Sequence, residues 1–256
     1  MTQTATLETR MLTRFFGSNP VISNVNFTLR PGDRRALIGP NGAGKTTFVN
    51  LLTGRLAASS GEVLFDGQNI SQLGEARRIR LGIGRTFQIT SLFPAMTVRE
   101  NVFLAVAECE GIAGRLFRSV FHYRKQVARV DELVHRVGLS DVAQVPAQLL
   151  PYGRQRLLEI AIALALRPKI LLLDEPAAGI PTAQSHVILD IIETLPKEIA
   201  VLLIDHDMDL VFKFAKRVIV LAQGAIIFEG PAAEAGKNEA VREAYLGSFA
   251  NDRRST

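Results

Sequence analysis

Residues 34–54 read RRALIGPNGAGKTTFVNLLTG, and they decide the fold. The first six form an apolar run introduced by two arginines, the pattern of a buried strand. The last nine, TTFVNLLTG, carry apolar side chains at helical spacing and end on a glycine. Between them GPNGAGKTT (39–47) puts glycines where the chain must pass from strand to helix within a few residues. Strand, glycine-rich turn and helix in that order form the context of a phosphate-binding loop. Amides of such a loop and of the helix start are unpaired, and the helix dipole favours anions. Asn41, Gly42, Ala43, Gly44, Lys45, Thr46 and Thr47 are therefore expected to cradle the β- and γ-phosphates of a nucleotide. Lys45 adds a point charge, Thr46 offers its hydroxyl to Mg²⁺, and Gly42 and Gly44 allow an approach that a Cβ would obstruct.

Further strands end in polar residues. KILLLDEP (169–176) is an apolar run closed by two adjacent carboxylates. Buried charges are costly, so carboxylates at a strand's C-terminal end need a cation or a role toward solvent. Asp174 is read as holding Mg²⁺ through water, and Glu175 as polarising an attacking water. LLIDHD (202–207) ends in the same manner with His206 at its tip, and Gln88 follows the strand pattern GIGRTF. His206 is expected at the substrate, and Gln88 at the metal or the water.

Outward from these motifs the periodicity changes along the chain. Thr6 to Phe27 alternates, with turn signals GSNP and RPGD, and GEVLFDG (61–67) reads as another short strand. From Thr97 to Gln148 the spacing is helical. Beyond it, helix 154–167, strand 169–174, helix 183–194, strand 199–205, helix 207–215 and strands 217–222 and 225–229 imply a mostly parallel sheet covered by helices. The class is α/β.

With 47% hydrophobic residues the chain can fill a large core, and a net charge of +5 is too mild to select a nucleic acid or membrane partner. Its single cysteine excludes an internal disulfide. MTQTATLETR lacks the plan of a signal peptide, and no apolar run approaches the ~20 residues of a membrane span. A cytoplasmic setting is expected, with a disordered tail at 250–256.

LPYGRQ (150–155) opens a helix with a proline and a glycine where a capping side chain is usual. A bare helix end of this kind attracts an anion. Gly153 lets a phosphate approach the backbone, and Pro151 stiffens the entry without needing an N–H.

In order, 39–47, Gln88, LPYGRQ, LLLDEP (171–176) and His206 resemble the nucleotide-binding subunits of ABC transporters, over nearly the whole chain. The resemblance implies a RecA-like P-loop NTPase core with an N-terminal antiparallel β subdomain (together 1–95 and 155–256) and an inserted α-helical subdomain (96–154). It also implies a head-to-tail dimer, homo- or heteromeric, that sandwiches two ATP molecules. Each ATP then meets one subunit's phosphate loop and the other's Pro151, Tyr152, Gly153, Arg154 and Gln155. GIGRTFQITSLFPAMTVRENV, LEIAIALALRPKILLLDEPAAGIP and the closing AYLG are similar to the LivG-type ATPases of branched-chain or other hydrophobic amino-acid importers. By that similarity Phe16 stacks on adenine, although its sequence fits a core residue equally. Gln88 to Pro94, with Leu92 and Phe93, receives a helix of a membrane permease subunit, and a substrate-binding protein acts indirectly. The chain is then peripheral, on the cytoplasmic face of the inner membrane.

Two departures from the wider pattern stand out: Pro151 and Tyr152 occupy positions of a serine and a glycine, and PAAGIP lacks a usual aspartate. ABC ATPases acting on nucleic acid are the runner-up, but they carry long coiled coils that this insert lacks. A regulatory subunit that binds ATP with weak hydrolysis is the other alternative, suggested by Pro151 and opposed by Lys45, Glu175 and His206.

Overall fold

The computed structural model describes residues 7–86, 92–112, 123–178, 182–205 and 207–252, with their side chains except at 182–186 and 246–252. The chain opens with β1 (Leu7–Phe16), β2 (Asn19–Leu29), β3 (Arg34–Ile38), α1 (Lys45–Thr53), β4 (Ser60–Phe65), β5 (Gln68–Asn69) and α2 (Glu75–Leu81). Next come β6 (Ile83–Arg85), α3 (Val98–Cys109), α4 (Arg124–Arg136), two 3₁₀ turns (Ser140–Val142 and Ala147–Leu149), α5 (Tyr152–Ala165), β7 (Ile170–Asp174) and α6 (Thr182–Glu193). The last elements are β8 (Ala200–Ile204), α7 (Met208–Phe214), β9 (Arg217–Ala222), β10 (Ala225–Pro231), α8 (Ala232–Ala235) and α9 (Glu239–Asp252).

Packing divides the described residues into two compact units, one within Met1–Arg78 and Lys197–Thr256, the other within Ile79–Pro196. In the first unit β2, β1, β4 and β5 lie side by side, and their pairings are antiparallel. The N-terminal strands are longer than their broken alternation suggests, at ten and eleven residues. Bulges between Thr9 and Arg14 explain the difference, because each extra residue shifts the inward-facing phase. A second set places β3 between β8 and β9, parallel to both, with β10 antiparallel on β9. Every residue of β8 is buried, as a strand covered on both faces requires. Phe27 and Phe48 meet edge to face at 5.5 Å, joining β2 to α1.

Among the described residues of this unit, the charged side chain buried most deeply is Arg78, 2% exposed. Its guanidinium donates to the carbonyls of Leu51 and Leu52 at the end of α1 and to those of Ser71 and Leu73. Burial lowers its pKa from 12.5 to about 10.

In the second unit β6 and β7 pair in parallel. α3, α4 and α5 pack on one another through Val102, Val106, Val130, Leu133 and Leu158, all buried. Two expectations are corrected here. The helix expected from 154 starts at Tyr152, because Pro151 serves as its N-cap with an extended φ of −54° and ψ of 149°. Helical structure also does not run through to Gln148: residues 140–149 form the two 3₁₀ turns, separated by an extended passage through Pro146.

Candidate functional site

In the first unit the chain leaves β3 at Gly39, where an added Cβ would stand 2.0 Å from the Leu221 carbonyl oxygen. No other residue fits there. Gly44, at φ 100°, is the N-cap of α1, and no side chain caps that helix. Ala43 donates its N–H to Pro40, and its carbonyl accepts from Gly224, whose own carbonyl holds Ser23. The β9–β10 turn and β2 thereby brace the loop from behind. Asn41, Gly42 and Thr46 are exposed, whereas the Ala43 side chain is buried. Lys45 Nζ folds over the loop to the carbonyls of Gly39 and Pro40, at 2.7 and 3.0 Å.

Tyr245 of α9, in the AYLG stretch, is tied to the main chain of Gly39. Burial raises its phenol above the ordinary 10, and the hydrogen bond from Gly39 pulls the other way. Sequence reading noted AYLG only as a family mark and missed this contact. Phe16 and Phe15 are both exposed, so neither is a core residue. The Arg14 guanidinium lies 4.8 Å from the Phe16 ring centre. His206 lies outside the described residues. After it, Asp207 caps α7 through the amides of Asp209 and Leu210.

In the second unit β7 delivers Asp174, 4% exposed, and the cation its burial demands is Arg85. The Arg85 guanidinium stands 2.7 Å from Asp174 Oδ2, with both side chains almost fully buried. Sequence reading missed Arg85; the available signal was an arginine inside the apolar strand pattern GIGRTF. Glu175 follows with φ 46°, a left-handed conformation that costs a non-glycine residue on the order of 1 kcal/mol and is concentrated at functional sites. Gln88 lies outside the described residues.

The start of α5 borders a cavity of about 500 Å³ lined by Pro151, Gly153, Arg154 and Leu157 among others. Amides of Arg154 and Gln155 bond to the Pro151 carbonyl, so the uncapped donors are those of Tyr152 and Gly153. Side chains tie this turn down. Gln155 Nε2 donates to the Leu150 carbonyl at 2.9 Å, and Arg154 pairs with Asp141 at 2.7 Å. Arg156 donates to the Tyr152 hydroxyl and to Glu159 Oε2, the latter at 2.7 Å. Burial pushes the Glu159 carboxyl up, against the pull of Arg156. Farther along, Leu92 is half-buried while Phe93 and Pro94 are exposed.

These donors suit a nucleotide and a hard cation. In the first unit the loop offers amides and Lys45 to phosphate and the Thr46 hydroxyl to a cation; in the second unit Asp174 offers carboxylate oxygen, the ligand type Mg²⁺ takes. The uncapped start of α1 behind Gly44 leaves backbone amides that suit an anion.

Residues 22–178 match the family described as ABC transporter, and residues 225–250 the one described as branched-chain amino acid ATP-binding cassette transporter. The chain is 36% identical to the probable branched-chain amino acid transport ATP-binding protein LivG of Archaeoglobus fulgidus, over 94% of this chain and 95% of that protein. It is 38% identical to the high-affinity LivG of Escherichia coli K12, over 91% and 94%. Among solved structures, an ATP-binding cassette of an ABC transporter in its ADP conformation superposes with a TM-score of 0.81 at 30% identity, covering 95% of this chain and 99% of that one.

Proposed function

Because the chain belongs to the ABC transporter family, in its branched-chain amino acid ATP-binding group, and is an ATPase of that kind, we propose that it powers import of branched-chain or other hydrophobic amino acids through separate permease subunits. The observation that supports this reading best is the similarity to LivG proteins over more than nine-tenths of the chain. A substrate-binding protein acts upstream and does not touch this subunit. The proposed place is the cytoplasmic face of the membrane, held by the permease at Gln88 to Pro94. Among the described residues no helix is long and apolar enough to cross a membrane.

When bound, ATP supplies the phosphoanhydride to be broken, and Mg²⁺ neutralises charge on its β- and γ-oxygens. Phe16 stacks on the adenine, while Asn41, Gly42, Ala43, Gly44 and Thr47 line the phosphates. Lys45 exchanges its carbonyl partners for phosphate oxygens. Thr46, Gln88 and, through water, Asp174 would hold the metal, and Arg85 fixes one Asp174 oxygen in place. Glu175 polarises the attacking water, and His206 supports its in-line attack. Pro151, Tyr152, Gly153, Arg154 and Gln155 face the nucleotide held by a second ATPase subunit, the same chain or a close relative. In this scheme residues 96–154 act as the helical subdomain that moves as the dimer closes.

Glu175→Gln tests the scheme: with saturating ATP and Mg²⁺ it should accumulate as a dimer in size-exclusion chromatography. A variant that binds ATP and stays monomeric refutes it.

A further inference from the structure

The turn carrying Phe93 and the passage leading into α5 are joined along their backbones. At the start of α3, Val98 and Arg99 donate their N–H groups to the carbonyls of Val145 and Ala143, at 3.1 and 3.0 Å. In return Ala147 donates to Met96 at 2.9 Å and Gln148 to Pro94 at 3.0 Å. Thr97 and Pro146 form an antiparallel bridge between these rungs. The product is a short ribbon, residues 94–99 against 143–148.

Asn101, 2% exposed, locks one side of it. Its Oδ1 accepts the Phe93 N–H at 2.8 Å. Its Nδ2 donates to the carbonyls of Phe93, Met96 and Thr97 at 3.0 to 3.1 Å. Both ends of the amide are thus engaged, as its burial requires. Pro94 and Pro146 fix φ in the facing segments. The bonds continue: Leu150 donates to the Ala147 carbonyl at 3.2 Å, and Gln155 Nε2 donates to the Leu150 carbonyl at 2.9 Å. An unbroken path therefore runs from the turn where Phe93 is 55% exposed, past Leu149 at 67%, to the first turn of α5.

We propose that this ribbon, with Asn101 as its positioning residue, carries displacement of the Phe93 turn to the start of α5 as one rigid piece. The proposal rests on the reading above, in which the Phe93 turn receives a permease subunit and residues 151–155 face the second subunit's nucleotide. Packed, fully bonded segments shift as units and do not deform gradually. Permease movement at Phe93 then reaches the partner's nucleotide along these rungs, through the first turn of α3.

Hydrogen exchange on the full chain and turnover of the assembled transporter test this together. In the wild type, amides of Val98, Arg99, Ala147, Gln148 and Leu150 should show one common protection factor. Asn101→Ala should raise exchange about tenfold at all of them, and lower permease-stimulated turnover by about tenfold. ATP affinity of the chain and exchange in α1 should not change. Ala147→Pro leaves Asn101 intact and removes the rung to Met96; it should give the same pattern more weakly, and it serves if Asn101→Ala does not fold. Exchange that rises only at 93–97, or stimulated turnover that stays at the wild-type level, overturns the proposal. If Phe93→Ala binds the permease as well as the wild type does, the docking reading is wrong and the transmitted displacement falls with it, while the exchange rates separately decide whether the ribbon is one body.

Discussion

Asp174 and Glu175 are neighbours in sequence with unlike surroundings. Asp174 is sealed against Arg85, whereas Glu175 is turned out of β7 by its left-handed backbone. Removing one partner of a buried ion pair strands the other, so Arg85→Met should cost about 3–5 kcal/mol in denaturant unfolding. The exposed pair of Arg154 and Asp141 should contribute about 1 kcal/mol or less by the same measurement. Arg85→Met combined with Asp174→Leu should recover most of the loss, because no charge remains buried and unpaired. The strand-end carboxylates were legible in sequence, since an apolar run ending in DE has few explanations. Arg85 was not, because its partner lies 89 positions away and only the pairing of β6 with β7 brings them together.

At the scale of elements, α1 is held at its two ends by different means. Its N-terminus is left bare behind Gly44, while its C-terminus is closed by the Arg78 guanidinium. Arg78→Met should therefore take the guanidinium donor from the carbonyls of Leu52, Ser71 and Leu73, Leu51 keeping the Gly54 N–H, and destabilise the chain by about 3 kcal/mol at roughly 1 kcal/mol each. Arg78→Lys should recover only part of this, since a single ammonium cannot reach carbonyls on both α1 and the 71–73 segment. Helix α3 begins with a full capping box, in which Thr97 and Glu100 hold each other's amides. Those bonds to Thr97 keep the Glu100 carboxyl below its ordinary 4.5. A carboxyl whose pKa is lowered in the fold stabilises fully above 4.5, and that contribution is lost as pH falls through the lowered value. Melting temperature followed downward from pH 5 should show this loss, and Glu100→Gln should remove that part of the slope. The helix α3 was legible from its spacing. The ribbon before α5 was not, because 3₁₀ turns and backbone rungs leave no periodicity to read.

For the molecule as a whole, the phosphate loop belongs to one compact unit and the start of α5 to the other. In the proposed scheme, binding of nucleotide by the loop and closure onto a second subunit are then separable events. Gly153→Val should leave the Kd for ATP of the single chain unchanged, because no residue of the loop is touched. It should also prevent the ATP-driven dimer and abolish turnover, since a branched side chain would stand where the proposed sandwich brings a phosphate to the backbone of α5. Pro151→Ser bears on the same surface in the opposite sense. A serine hydroxyl adds a donor to an ionised group, an interaction of about 1.5–3 kcal/mol, so turnover should hold or rise. Fluorescent-ATP titration and turnover measured on both variants decide the matter: if Gly153→Val hydrolyses ATP like the wild type, the bare start of α5 is a helix start and nothing more.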